Sequence, residues 1–318
     1  MTNAPLLLVG FCAGLASALL YASAASGSVL AIFLFYIAPL PILIAGIGWR
    51  HHAGLIGAAR AAVAVGVAGG PTGGLAHAVA VGLPAWWLAY LALLARPGAT
   101  ESQTEWYPVG RLVLWAAVIG ALLVAAAIPL VGTSLEEFRG ALKAMFTRVF
   151  DTDGAATPGL PTGDDRARLF DLMAALLPIM FALLWTVSTL FNLWLAGRVT
   201  RASRRLIRPW PELSAMTFPR TASYGFFAAM LGSFLPGLAG LVAELFATTL
   251  MVAFALLGLA VIHVTTRAMP TRGLILFGVY ALLLIQPWIG VFLAALGLAE
   301  ISIGVRKRFG GPPPAPRS

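Results

Sequence analysis

The sequence is poor in charged residues. Only 10% of its 318 side chains are Asp, Glu, Lys or Arg, whereas 60% are hydrophobic. A water-soluble globular protein usually has about 25% charged residues, so this chain lacks the polar side chains needed to cover a globule. Runs of about 20 apolar residues recur instead, and each is long enough to cross a bilayer as a helix. The sequence therefore predicts an all-α fold, a polytopic transmembrane helical bundle.

Several motifs of catalysis and energy use are missing. The chain has no Gly-Lys-Ser or Gly-Lys-Thr, and the glycine-rich stretch 66–74 lacks the lysine that contacts phosphates. It has no His-Glu-x-x-His motif and no pair of aspartates in an apolar run. The single cysteine, Cys12, excludes an internal disulfide. We therefore predict that the protein is not an enzyme, and we expect no catalytic residues, no metal and no cofactor.

Eight apolar runs are predicted to span the membrane. They cover 5–26, 29–48, 53–70, 73–95, 110–132, 171–197, 222–240 and 243–266. The stretch 272–302 is also apolar, but Gln286-Pro287-Trp288 interrupts it, and proline disfavours a continuous helix. We expect a broken pair of helices there, which crosses the membrane once or twice. Residues 1–304 would then form a single transmembrane domain, and 305–318 a basic, proline-rich cytoplasmic tail.

The connection 133–170 is the longest polar region. Ser134 and Glu137 have capping-box spacing, and apolar residues then recur at helical intervals. This pattern predicts an amphipathic helix on the membrane surface. The stretch 152–166, which is rich in proline, glycine and aspartate, follows it and predicts an irregular linker.

Arginine dominates the charge of +9, since the chain has 19 Arg, 2 Lys and 12 acidic residues. Six of the arginines lie between Arg198 and Arg220, directly after the sixth span. The positive-inside rule places such loops in the cytoplasm, and it predicts that both termini are also cytoplasmic.

Two ionisable residues near the outer ends of predicted spans are the strongest candidates for a site. His77 and Glu244 could line one polar cavity that is open to the outside, because a charged group inside a span is costly. The alternative is that Glu244 caps a helix, since a helix N-terminus stabilises a carboxylate. His263, near an inner helix end, is interpreted as a group at the membrane interface. The weaker candidates for substrate binding are Asn192, Gln286 and Trp288.

The arginine-rich loop offers a second candidate site. Arg201, Arg204, Arg205 and Arg208 could contact membrane lipids or a partner protein. The alternative is a topology anchor, in which Trp210 lies at the headgroups. We expect no nucleic acid partner.

Short motifs along nearly the whole chain resemble the YybS-like family of predicted bacterial membrane proteins. They are Pro39-Leu40-Pro41, Asn192-Leu193-Trp194, Arg208-Pro209-Trp210-Pro211, the stretch 258–263, and the stretch 296–300 before Arg306-Lys307-Arg308. That family is distantly similar to the substrate-binding subunits of energy-coupling-factor transporters. The resemblance implies a multi-pass protein of the bacterial cytoplasmic membrane that binds or transports a small molecule and relies on an energising partner protein. The alternative is a non-transporting scaffold, which docks cytoplasmic partners through its arginine-rich loop.

Overall fold

The computed structural model describes residues 4–98, 104–150 and 161–309, and α-helices dominate these residues. The helices are α1 (Ala4–Ala22), α2 (Val29–Ile37), α3 (Pro39–Trp49), α4 (His51–Gly69), α5 (Pro71–His77), α6 (Leu83–Leu93), α7 (Val109–Ala127), α8 (Leu135–Phe150), α9 (Gly163–Ala202), α10 (Arg220–Gly232), α11 (Gly237–Thr265), α12 (Arg272–Ile285), α13 (Ile289–Ile303) and α14 (Val305–Phe309). A short antiparallel hairpin of β1 (Ala95–Pro97) and β2 (Thr104–Trp106) joins α6 to α7. The predicted all-α bundle is confirmed.

Seven helical stretches among the described residues are long and apolar enough to cross a membrane, compared with eight predicted spans. They are Ala4–Ser26, Val29–Trp49, His51–Gly69, Pro71–Leu93, Val109–Leu130, Gly163–Ala202 and Gly237–Thr265. The difference lies at 222–240, where α10 has only 13 residues and α11 already begins at Gly237. Pro236 has no backbone N–H and Gly237 has a φ of 72°, so the chain turns there and starts a new helix.

The first half of the predicted polar loop 133–170 folds as a helix, whose position on the membrane surface stays a prediction. Helix α8 forms, and the Glu137 backbone N–H donates to Ser134 Oγ at 3.1 Å, as a capping box requires. The second half differs, because α9 begins at Gly163, whereas the irregular linker was predicted to extend to residue 166. Asp164 and Asp165 lie in the first turn of α9, where the helix dipole favours negative charge. Residues 151–160 lie outside the described part of the chain.

Helix α9 is much longer than a membrane crossing requires. Its 40 residues correspond to about 60 Å at 1.5 Å per residue, against a hydrocarbon core of about 30 Å. Helix α8 packs along the N-terminal part of α9, through contacts of Phe146 and Phe150 with Phe170 and an ion pair between Lys143 and Asp171. The amphipathic helix therefore buries part of its apolar face against the protein itself.

The N-terminal helices pack closely because small residues lie where they cross. A Cβ added to Gly14 of α1 would come within 2.6 Å of the Gly57 carbonyl oxygen of α4. A Cβ added to Gly46 of α3 would lie 2.7 Å from the Ala89 Cβ of α6. The helix backbones themselves are therefore in contact, as is usual when small residues form a helix interface in a membrane.

The C-terminal apolar stretch consists of two helices, and the predicted break at Gln286-Pro287-Trp288 is confirmed. Helix α13 packs on α11, with Gly297 against Phe254 and Gly258 against Leu293. With 14 and 15 residues, α12 and α13 measure only about 21 and 22 Å. Whether this pair crosses the membrane once or twice stays a prediction.

One end of the bundle carries the arginine-rich loop, and we call it the basic end. Here the loop 203–219 packs against the end of α6 and the start of α7, where Gly110 contacts Thr217. Arg306, which follows α13, donates to the carbonyl oxygens of Ser214 and Met216 at 2.8 and 3.0 Å. The start of the C-terminal tail therefore lies beside the arginine-rich loop, which favours the prediction that both are on the same side of the membrane.

Candidate functional site

His77, the last residue of α5, is fully buried and faces Ser17 of α1. Ser17 Oγ donates to the Ala38 carbonyl oxygen at 2.7 Å, so its oxygen can accept a hydrogen bond from His77 Nε2, which lies 3.1 Å away. The Tyr21 ring packs edge-on against the imidazole, with 5.0 Å between the centroids. His77 Nδ1 is buried and has no hydrogen-bond partner among the described residues. The imidazole thus extends a polar chain that stabilises the break between α2 and α3.

Glu244 lies on the exposed surface of α11, in its second turn. No hydrogen bond or ion pair of the described residues joins it to His77, and neither side chain lines the cavity described below. The structure therefore does not bring this predicted pair together. Glu244 lies seven residues after Gly237, too far along α11 for its side chain to cap the first turn.

The three weaker candidates lie in two different settings. Asn192 is buried, and its Nδ2 donates to the carbonyl oxygens of Tyr36 and Ser188 at 2.7 Å each. It therefore joins α9 to the end of α2. Gln286 and Trp288 lie at the break between α12 and α13, where Trp288 Nε1 donates to Gln286 Oε1 at 2.8 Å.

Three of the four predicted arginines contact aromatic rings of the same chain. Arg201 lies 5.3 Å from the Trp210 ring centroid, Arg205 lies 5.3 Å from that of Trp49, and Arg208 lies 5.8 Å from that of Trp106. Arg204 is exposed and has a positive φ of 55°, which marks a tight turn in the loop. These cation–π contacts fold the loop back onto the bundle.

A cavity of about 880 Å³ lies at the basic end, between α7, α9 and the C-terminal half of α11. The loop residues 206–216 close it on one side. Its wall is mostly apolar and includes Leu112 of α7, Phe191 and Trp194 of α9, and Leu256 of α11. Pockets for small molecules usually measure about 300–1,000 Å³ and are lined mainly by apolar and aromatic side chains. The cavity has both properties.

Arg208 contributes a buried positive charge to the cavity wall, since the residue is only 9% exposed. Its Nη1 donates to the carbonyl oxygens of Ala92 and Tyr107 at 3.0 and 3.4 Å. Its Nε is buried and has no hydrogen-bond partner, and no carboxylate of the described residues forms an ion pair with it. Burial lowers the pKa of the Arg208 guanidinium below its usual value, because a low-polarity environment disfavours the charged form.

Glu212 also lines the cavity, but its carboxylate already has partners within the protein. Arg267 forms an ion pair with it, and Ser214 Oγ donates to it at 3.1 Å. The hydrogen bond from Arg267, followed by that from Ser214, lowers the pKa of Glu212. The acidic residue closest to Arg208 along the chain is therefore paired with a different cation.

The cavity opens at the surface of the bundle beside α9 and α12. Val187 and Phe191 of α9 are 45% and 50% exposed although both line the cavity, and Tyr280 of α12 is also partly exposed. Tyr280 Oη lies 2.9 Å from His263 Nε2, and both residues belong to the wall. The cavity is therefore accessible from the surface of the bundle, through an opening that is bordered by apolar and aromatic side chains.

The sequence interpretation missed this cavity, although it singled out residues that line it. Arg208 was interpreted as a lipid or partner contact and His263 as an interface group, and both lie in the cavity wall. Bulky side chains at Val187, Phe191 and Trp194 recur on one face of α9, in a chain otherwise rich in Ala and Gly. That spacing was the available signal, but it does not distinguish a face that lines a cavity from one that faces lipid.

Comparison with known proteins identifies a family for the chain. The family described as "Predicted membrane protein (DUF2232)" matches residues 15–301. No curated protein and no solved structure matches the chain. Because the match covers nearly the whole sequence, the chain belongs to this family of predicted integral membrane proteins.

Proposed function

We propose that this protein is a small-molecule binding subunit in a bacterial cytoplasmic membrane, and that its ligand occupies the cavity at the basic end. The cavity is the single observation that carries this proposal. Its volume of about 880 Å³ suits one medium-sized molecule, and its wall of Leu, Val, Phe and Trp side chains suits a molecule that is largely apolar.

The position of the opening supports entry from the membrane. Phe191 and Tyr280 are partly exposed on the side of the bundle, where lipid would surround them. A ligand of low water solubility could therefore enter the cavity without passing through water. Release to either side of the membrane would make the subunit part of a transporter.

The resemblance to substrate-binding subunits of energy-coupling-factor transporters suits this role. Those subunits bind a small molecule and depend on a separate ATPase module. The chain has no phosphate-binding loop, so an energising partner would have to supply the motor.

A non-transporting scaffold remains the second candidate, because the arginine-rich loop is partly exposed. Arg201, Arg204 and Arg205 are all exposed at the basic end. Arg201 and Arg205, however, also contact tryptophan rings of the same chain, which gives them a role in holding the loop. A scaffold would not need the cavity, so a test that fills the cavity distinguishes the two functions.

The experiment is to fill the cavity and measure the bound molecule. Leu256→Trp adds bulk inside the wall, whereas Leu274→Trp adds the same bulk on α12 at a residue that is 72% exposed. Each full-length variant is purified in a mild detergent and analysed by native mass spectrometry for copurified small molecules. We expect wild type and Leu274→Trp to retain a molecule that Leu256→Trp loses. Equal ligand content in all three proteins, or none in any, would contradict a binding function at this cavity.

A further inference from the structure

We infer that the ligand is an amphiphile with an anionic head group, a carboxylate or a phosphate ester, that pairs with Arg208 while its apolar chain lies between α9 and α11. The inference rests on the proposed function and names the class of its ligand.

The first observation is the unbalanced charge of Arg208. Its guanidinium is buried in the cavity wall and forms no ion pair with any carboxylate of the described residues. The carbonyl oxygens of Ala92 and Tyr107 supply only partial negative charge. A buried charge without a counter-ion is costly, so an anion entering the cavity would relieve this cost.

The second observation is the free donor. Arg208 Nη1 already donates to protein carbonyls, whereas neither the buried Nε nor Nη2 has a hydrogen-bond partner among the described residues. An arginine can present two parallel N–H groups to the oxygens of a carboxylate or phosphate. Nη2 is the unpaired nitrogen of Arg208 that is not fully buried, so it is the N–H group that a ligand oxygen can reach from the cavity.

The third observation is the shape of the wall beyond Arg208. Phe191 and Val187 of α9 and Leu256 of α11 extend the lining from the basic end towards the opening, and they offer no charge. One end of the cavity thus suits an anion, while the rest suits a hydrocarbon chain. This division of polar and apolar surface matches an amphiphile better than it matches a compact polar solute.

Two tryptophans in the wall allow a direct binding test. Bromine atoms quench tryptophan fluorescence at short range, and Trp194 and Trp210 both line the cavity. The full-length protein in detergent is titrated with dibromostearate, with a dibromo-phosphatidate, and with dibromostearyl alcohol as the uncharged analogue. The saturable part of the quenching that disappears in Trp194→Phe reports binding in the cavity, because quenching by bromine in the surrounding detergent also reaches the partly exposed Trp194 but rises without saturating.

We expect the wild type to bind the two anionic probes at least about tenfold more tightly than the alcohol, since hydrogen bonds to charged groups are the strong ones. Arg208→Gln should remove that preference by weakening the binding of the two anionic probes. Arg208→Lys should restore part of it. Arg204→Gln, in the same loop but exposed, is the matched control and should bind as wild type does.

The outcomes separate this inference from the proposed function. If no probe binds in the cavity, the proposed function fails as well. If the acids and the alcohol bind equally to wild type, the cavity binds apolar molecules, but the anionic class is wrong, and this comparison does not depend on any variant folding. Full displacement of dibromostearate by millimolar phosphate or acetate would show a site for a free anion and would contradict the amphiphile.

Discussion

The crossings between the N-terminal helices and the region around the cavity pack in different ways. At the N-terminal crossings small residues let the helices approach closely, as where Gly14 meets the Gly57 carbonyl oxygen of α4 and Gly46 meets the Ala89 Cβ of α6, and no space is left there. Around the cavity the large side chains of Phe191 and Trp194 of α9 line a space of about 880 Å³ between α9 and α11. Close packing in lipid comes from fit between helix surfaces, so large side chains that do not interlock leave volume.

The two kinds of packing also occur on opposite faces of single helices. Helix α11 contacts α13 through Gly258 with close backbone approach, whereas Leu256 and His263 face the cavity. Helix α9 joins α2 through Asn192 but lines the cavity with Phe191 and Trp194. The C-terminal half is therefore not loosely packed throughout, because the helices that line the cavity pack tightly on their other faces.

The largest expected effect concerns the ion pair that ties the end of α13 to the cavity loop. Arg306 pairs with Glu300 at 2.9 Å, and the two side chains are only 12% and 11% exposed. Arg306→Met would leave the Glu300 carboxylate without its partner, so we expect a loss of about 3–5 kcal/mol in the free energy of unfolding. SDS-induced unfolding of the purified protein measures this loss.

Arg308→Met is the matched control for this change, since Arg308 is exposed on the same short helix. It should unfold as wild type does. Equal stability of the two variants would show that the cavity region does not depend on its charged contacts. The double variant Glu300→Gln with Arg306→Met should recover part of the loss, because no unpaired charge remains.

The next effect concerns the contact between backbones at the N-terminal crossings. Gly14→Leu would force a side chain into the space occupied by the Gly57 carbonyl. We therefore expect the free energy of unfolding to fall by about 1–3 kcal/mol or more. Gly278→Leu on α12 is the control, because a Cβ there meets nothing within 4 Å. A Gly14→Leu protein as stable as the control would mean that the N-terminal crossings and the region around the cavity do not differ in packing.

The helices were largely predictable from the sequence, because hydropathy and proline act locally. The break at Pro287 and the capping box at Ser134 both follow from one residue or a short spacing. The predicted span 222–240 runs across Pro236 and Gly237, so the 13-residue α10 was taken for a complete span. The length of the apolar segment could not show that it contains two helices, since α10 and the start of α11 form one continuous apolar run.

The candidate site was much less predictable, because it depends on contacts between distant parts of the chain. Arg208 reaches Ala92, 116 residues away, and only this contact shows that its charge is buried. His77 is an ionisable residue in an apolar run, as the sequence indicated, yet its partner is Ser17 rather than Glu244. A single sequence shows which residues are costly to bury but not which groups they meet.

The smallest expected effect is a pH dependence at the rim of the cavity. The hydrogen bonds from Arg267 and Ser214 lower the pKa of Glu212 in the folded protein below the usual value of 4.5. A carboxyl with a depressed pKa stabilises the fold above its unfolded pKa, and this contribution is lost as the pH falls through the folded pKa. Glu212→Gln should therefore be less stable than wild type at pH 7, and the difference should shrink as the pH falls below 4.5 and vanish once the pH is below the folded pKa. Glu212 is 60% exposed, so screening by solvent keeps the difference below about 1 kcal/mol.

Thermal unfolding of both proteins from pH 7 to pH 3 measures this difference in stability. The exposed Glu244→Gln is the control and should match wild type throughout. A difference that stays constant across this range would mean that Glu212 acts through packing rather than through its charge.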